Sequence, residues 1–526
     1  MRRNVLFGIS GVLFLLVLSQ IISWVSSGFQ GLGGWQSFLA AVLAGAALLW
    51  GGWHTLKSDR NLALPRWLAW LLMGAALLRL AAGIFWVIAL PRWGYGTPVE
   101  QAGYVMSDAY ARDTAAWQLA QTDQPLWQAF AGKRSSDQYG GMLYLSAWVY
   151  RYLGGETHQP LLIVVLTAAF SALTVLFAWA LARRLWSERA AQIAAWIIAL
   201  YPEAVLLGSS QMREAFTMTL TAVAFYGLIR YQQERALPGL AWLIAALLLG
   251  LPFSPPFVIV LLGMLMLSAL AFGRWQVFRQ RWLWVSLAGL AVLAGVGVWL
   301  AWGRIAPEGI TNPIQLIGWW LKHSVSWQAY FAKTSSTFIR KMFKQTPAWT
   351  HLLILTGYGL MQPFLPAALV ERGAFLWRGI AIWRALGWTL LLPFLIFALW
   401  RAWSREHRRT LASGLSLAAW LGILLPAVRS GGDQWDNPRY RVAFIGLQAA
   451  LAAWVWSENR QKPDAWLRRA IIGLILLLAW FLPWYLYRYS GFPWPVTDIF
   501  KNVGLGIASA ILYALWDWVN EKRDSA

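Results

Sequence analysis

Three short stretches of this chain hold the residue types that acid–base and phosphate chemistry require. The first runs from Ser107 to Ala120, with Asp108 and Tyr110 at its start and Arg112 and Asp113 just beyond. A carboxylate placed there can take a proton from an attacking hydroxyl or amine. It can equally be a helix-terminal acid favoured by the dipole and paired i,i+4 with Arg112. Asp113 lies about 140° further around the same helix, so the two acids cannot face one substrate together. The second stretch, Gly208 to Phe216, puts Arg213 and Glu214 where an apolar run resumes. An ionised acid beside hydrocarbon is costly unless it has a partner or a task. Arg213 is expected to point about 100° away from Glu214 and to find a different partner. The third runs from Arg429 to Arg441, with Arg439 and Arg441 flanking Tyr440. The planar fork of arginine suits the oxygens of a phosphate. Arg340 and Lys341 sit among Phe338, Phe343 and earlier tryptophans, a pattern that fits an interfacial anchor or a clamp on a lipid phosphate.

The elements that must position these groups are apolar. The chain has 526 residues, 59% hydrophobic and 13% charged, with 39 Trp, 17 Tyr and 25 Phe. A soluble domain carries about 25% charged residues, so there is too little polar surface here to wrap the apolar mass in water. The net charge of +22 invites a nucleic-acid reading. The cations instead form short clusters between apolar runs, as expected where loops meet an anionic leaflet. Cysteine is absent and the five histidines are scattered. These counts exclude disulfides, a thiol nucleophile and a Cys-ligated metal, and disfavour a His-ligated one.

Runs long enough to cross a bilayer of about 30 Å are expected at 4–25, 36–56, 67–90, 160–182, 190–208, 214–230, 239–253, 256–272, 283–302, 380–400, 410–428, 441–457, 468–488 and 503–519. The fold class is therefore an all-α polytopic membrane protein with about 14 transmembrane helices. With Arg2 and Arg3 inside, every strong cluster, from Lys57/Arg60/Arg66 to Lys522/Arg523, falls on the cytoplasmic side, and both termini with them. The first span has no small-residue cleavage site after it and reads as a retained anchor. Residues 350–370, with Pro363 and Pro366, would break the charge alternation if they crossed. They read as a re-entrant or interfacial element. The expected organisation is an N-terminal hairpin (1–66), a catalytic core (67–302) with an outer loop at 91–159, a second outer loop (303–379) and C-terminal helices (380–526).

Laid in this order, the segments resemble the GT-C membrane glycosyltransferases that use polyprenyl-phosphate sugars, among them bacterial relatives of protein O-mannosyltransferases and of the lipid A aminoarabinose transferase. The matching pieces are Asp108, Tyr110 and Ala120 in the first outer loop, then Tyr139 to Gly154. Ala182 to Ala191, Glu214 and Arg439-Tyr440-Arg441 follow. The resemblance covers 67–235 and, more weakly, 429–457. Gln138-Tyr139-Gly140-Gly141 stands where relatives carry a Pro-rich element, Ala109 where many have a second acid, and Glu214 where Asp is usual. Two spans precede the region where relatives begin. These departures leave the sugar open.

The resemblance implies transfer of a sugar from a polyprenyl-phosphate carrier to a glycan, lipid or protein acceptor at the outer face of the plasma membrane. It makes Asp108 the general base of an inverting reaction and Glu214 an orienting acid. Arg439 and Arg441 would hold the carrier phosphate, with Arg340 and Lys341 as second choices, and Tyr110, Tyr139, Tyr440 and Arg213 around the substrate. No cofactor, no obligatory metal and no nucleic-acid partner are expected. Two other classes fit a multispan protein with basic outer loops: a flippase for a lipid-linked saccharide, and a lipid-linked glycan ligase or polymerase. The first predicts charged pairs at mid-membrane; the second predicts a larger transferred product.

Overall fold

The computed structural model describes residues 2–131, 137–235, 237–271, 281–300, 302–316, 318–319, 337–404 and 410–524. Their regular structure is entirely helical, and each expected span falls on a helix or on a bent pair of helices. Among the described residues, seven helices are long and apolar enough to cross a membrane: Trp35–Lys57, Arg66–Trp93, Leu161–Leu185, Phe375–Ala402, Leu411–Ser430, Ala465–Ser490 and Ile499–Asp524. Glu188–Leu200 and Pro202–Gly208 pass together as an eighth, bent by 54°. Ser10–Ser26, Leu237–Gly250 and Pro255–Ala271 are shorter apolar helices. Glu214–Glu234 completes the core, its ends charged and its middle apolar. The stretch 350–370 is no continuous crossing. His351–Met361 has 11 residues, about 16 Å or half the hydrocarbon thickness, and a separate helix follows at Leu365–Val370.

Leu161–Leu185 is the central post, with 94% of its most apolar window buried. Trp35–Lys57, Arg66–Trp93, Glu188–Leu200, Glu214–Glu234 and Ile445–Gln461 pack around it. Small and hydroxylated residues permit this closeness: Thr174 and Thr219 bond to each other at 2.8 Å, and Gly446 approaches Ala222. The last two helices, Ala465–Ser490 and Ile499–Asp524, pair mainly with each other and bury only 11% and 17% of their windows.

The bend after Leu200 matters most for the site. Proline lacks an N–H, so Pro202 cannot bond the Ile198 carbonyl one turn back, and it starts a new helix instead. Arg79, fully buried in its span, supplies the missing donor: its Nη2 reaches the Ile198 carbonyl at 3.0 Å and its Nη1 the Ala75 carbonyl at 3.0 Å. Trp86 on the same helix holds Ser209 Oγ at 2.8 Å. The bend is thus held from Ile198 to Ser209 inside the bundle.

The first outer loop is built as a small unit. Thr97 and Glu100 form a capping box, and Glu100 Oε1 accepts a hydrogen bond from the Trp377 indole at 2.5 Å. Ser107–Ala120 packs along Gly141–Tyr152. Gly140 adopts φ 85°. A Cβ at Gly141 would fall 2.2 Å from the Pro252 carbonyl oxygen, so the Gly-Gly pair allows a close approach that a larger residue would block. Asp113, buried on the far side of the helix from Asp108, accepts from Tyr104 at 2.6 Å and Tyr150 at 2.7 Å and meets His158 Nε2 at 2.7 Å. It is the hub of a hydrogen-bond cluster that ties the outer loop together.

Candidate functional site

Arg439 joins the three stretches singled out in the sequence. It projects from the short helix Asp436–Val442. Its Nε donates to Glu214 Oε1 at 2.8 Å, and its Nη1 donates to Asp108 Oδ2 at 2.8 Å and to Asp436 Oδ1 at 3.3 Å. Positions 108, 214 and 439, far apart along the chain, therefore share one guanidinium. Exposure separates their roles. The Glu214 and Arg439 side chains are 4% and 7% exposed, whereas that of Asp108 is 51% exposed. Glu214 lies in the first turn of its helix, where the dipole favours a carboxylate. Arg213 Nε stands 3.6 Å from the same Oε1 and its guanidinium lies over the Tyr139 ring. The expectation that Arg213 and Glu214 diverge is corrected. Arg213 occupies the turn before the helix, and its long side chain folds back onto the acid.

Burial alone would push the Arg439 guanidinium down. The charges of Glu214, Asp436 and Asp108 outweigh it and hold Arg439 well above its ordinary value. Arg213 is likewise raised, mainly by Glu214 against the opposing effect of burial. Burial pushes the Asp436 carboxyl up, with Arg439 opposing. Arg112, fully buried beneath this cluster, is lowered by burial despite Asp137. It approaches Asp137 at 3.7 Å and donates to the Gln211 carbonyl at 3.3 Å, so the i,i+4 pair with Asp108 is not made.

A cavity of about 640 Å³ opens beside this cluster. Asp108, Asp436 and Arg439 line it together with Glu100, Tyr104, Tyr358, Gln362, Glu371, Trp377, Arg384 and Trp435. Most of these wall groups escaped the sequence reading, Arg384 and Trp377 among them. Arg384 makes a two-point ion pair with Glu203, at 2.6 and 3.0 Å, and lies over Trp435. Its one available signal was its position as an arginine inside an expected span. Trp377 stands edge-on to Trp435, and nothing in the local sequence marks it.

The remaining expected site residues are placed as follows. Tyr440 bonds Asp436 at 3.4 Å and lies against the Arg439 and Arg429 guanidiniums. Tyr110 packs edge-on against Tyr104. Arg441 does not join Arg439. Two residues further along a helical turn, about 200° around, it points into the bundle, where Nη2 donates to the Gln362 carbonyl at 2.8 Å and the guanidinium lies over Trp388. Arg340 and Lys341 belong to the helix Thr337–Gln345, and their side chains lie outside the described residues. Among the described residues no group of three or more His, Asp or Glu side chains is arranged to hold a metal ion. Asp433, which flanks the site in sequence, caps the backbone N–H groups of Trp435 and Asp436.

Residues 142–302 match the family described as dolichyl-phosphate-mannose-protein mannosyltransferase. This match includes Tyr150, the bent segment and Glu214, and it supports the resemblance to polyprenyl-phosphate-sugar-dependent membrane glycosyltransferases. No curated protein matches the chain. Similar solved structures include the oligosaccharyltransferase AglB from Archaeoglobus fulgidus in complex with an inhibitory peptide and a dolichol-phosphate. It is 16% identical over 85% of this chain and 56% of its own, with a TM-score of 0.39. The apo form of the Archaeoglobus fulgidus oligosaccharyltransferase is 15% identical over 84% of this chain and 56% of its own, TM-score 0.43. ArnT from Cupriavidus metallidurans bound to undecaprenyl phosphate is 14% identical over 84% of this chain and 75% of its own, TM-score 0.40. The chain thus spans little more than half the length of the archaeal structures.

Proposed function

We propose that this multi-pass membrane protein is a glycosyltransferase that moves a sugar from a polyprenyl-phosphate carrier to an acceptor at the outer face of the plasma membrane. The observation that carries the reading is the single guanidinium shared by Asp108, Glu214 and Asp436 at the wall of a cavity large enough for a sugar and part of an acceptor. Glu214 holds Arg439 from behind through Nε, leaving Nη1 on the cavity side. A carrier phosphate entering the cavity competes with Asp108 for that Nη1 and releases the half-exposed carboxylate to the acceptor. Asp108 then takes the proton of the attacking hydroxyl or amine as the new bond forms at the anomeric carbon. The bond from that carbon to the phosphate oxygen breaks on the opposite side, which inverts the centre. The electron pair departs with the carrier phosphate, whose charge Arg439 stabilises. Such a leaving group is already anionic, so cations serve it better than a general acid.

The test is to incubate the purified protein with a panel of polyprenyl-phosphate sugars and measure released carrier phosphate. Asp108→Asn is expected to abolish release with an unchanged melting temperature. Turnover at the wild-type rate in that variant excludes Asp108 as the base.

A further inference from the structure

The segment 201–214 carries out the same construction twice. Glu214 fixes Arg439 through Nε, and Glu203, in the first turn of Pro202–Gly208, fixes Arg384 through Nε at 2.6 Å. The two arginines differ in what remains. On Arg439, Nη1 is already engaged by Asp108 and Asp436. On Arg384, Nη2 serves Glu203 and the Gln434 carbonyl, and Nη1 makes no hydrogen bond among the described residues. The side chain is 3% exposed and lines the cavity. Nη1 is not sealed from solvent, so its two N–H groups face cavity water that an anionic ligand oxygen can displace.

We propose that Arg384 is a second oxyanion contact of the cavity, its Nη1 receiving one anionic oxygen of a substrate. The inference rests on the glycosyltransferase reading, in which Arg439 takes the first such oxygen. Nε and Nη2 are committed to Glu203, so the contact is a single directional hydrogen bond and not a bidentate fork. Glu203 also neutralises the charge, so Arg384 selects by the position of the oxygen more than by net attraction. The oxygen belongs either to the carrier phosphate or to an anionic group on the acceptor.

Tryptophan-fluorescence titration of the full chain in detergent micelles separates these cases, with undecaprenyl phosphate, inorganic phosphate and uncharged polyprenol as probes. Arg384→Gln is expected to weaken undecaprenyl phosphate about tenfold, the loss of roughly one hydrogen bond to a charged group, and to leave polyprenol unchanged. Glu203→Gln, which keeps the arginine, should weaken it less than threefold. If Arg384→Gln weakens only inorganic phosphate, the contact stands and its oxygen is the acceptor's. If neither anion is affected, or if both variants lose affinity and melting temperature equally, Arg384 is only a brace and the proposal is overturned. A wild-type protein that binds undecaprenyl phosphate no better than polyprenol defeats the carrier reading instead. Inorganic phosphate alone then decides the role of Arg384.

Discussion

Glu214→Gln probes the cluster with little change of shape. Glu214 Oε1 accepts the Arg439 Nε bond at 2.8 Å, while Oε2 is buried and makes no hydrogen bond. A glutamine can place its carbonyl at the first site and its amide at the second, so what is lost is the charge and not the acceptor. A hydrogen bond to a charged group is worth about 1.5–3 kcal/mol, and replacing the carboxylate by an amide carbonyl forfeits roughly half of it, about 0.8–1.5 kcal/mol. If Arg439 must be held in place to receive the leaving phosphate, most of that loss appears in the transition state. At about 1.4 kcal/mol per decade, kcat/KM should fall roughly 4- to 12-fold. Glu214→Ala removes the acceptor as well and leaves the buried Arg439 Nε without a partner while Asp108 and Asp436 keep Nη1, at a cost of about 1–3 kcal/mol in stability, and its melting temperature should drop clearly below that of Glu214→Gln. The assay is initial-rate release of carrier phosphate at varied donor concentration, paired with thermal unfolding of the same preparations. A Glu214→Gln enzyme with kcat/KM within twofold of wild type would refute the claim that Glu214 positions Arg439 for catalysis.

Two further outcomes follow from the geometry. Arg441→Met should lower the melting temperature through loss of the Gln362 carbonyl contact yet leave the donor KM within twofold, whereas Arg439→Gln raises it at least tenfold; equal effects on KM would return Arg441 to the phosphate site. Burial would raise the Glu100 carboxyl, but the Tyr95 and Thr97 backbone N–H groups and the Trp377 indole hold it below the usual 4.5. The unfolded chain therefore binds more protons there, so this stabilisation is present above about pH 4.5 and is lost as the pH falls from 4.5 through the lower folded value. Glu100→Gln should be less stable at neutral pH and show a flatter acid limb in melting temperature, and parallel limbs for the two proteins would contradict this.

The spans were legible because their apolar runs are long and the intervening cations alternate. Asp108, Glu214 and Arg439 could be singled out because a charge beside hydrocarbon needs a reason, and the alternation placed all three on one side. Direction was harder. Arg-Tyr-Arg reads as a matched pair until its helical turn sends Arg439 and Arg441 to opposite sides. The Arg213–Glu214 contact was missed because ideal helical angles do not hold for a residue in the preceding turn. Arg384 sits four residues into the expected span 380–400, where an arginine in apolar sequence is itself a signal, because a charge at membrane depth needs a partner. The partnership of Asp113 with Tyr104, Tyr150 and His158 depends on how the outer loop folds over itself, and no local pattern announces it.

Because both anchoring glutamates ride on one short buried ribbon, the spacing between the two guanidiniums across the cavity is set by that ribbon's own backbone. Arg384 and Arg439 come from separate helices, yet neither can drift without breaking a tether to the common strip. A slip of the ribbon away from Arg79 would carry both arginines along in concert, so the cavity is tuned as a pair. Paired substitutions at positions 203 and 214 belong to one mechanical unit, and their effects should fall short of the sum of the single ones.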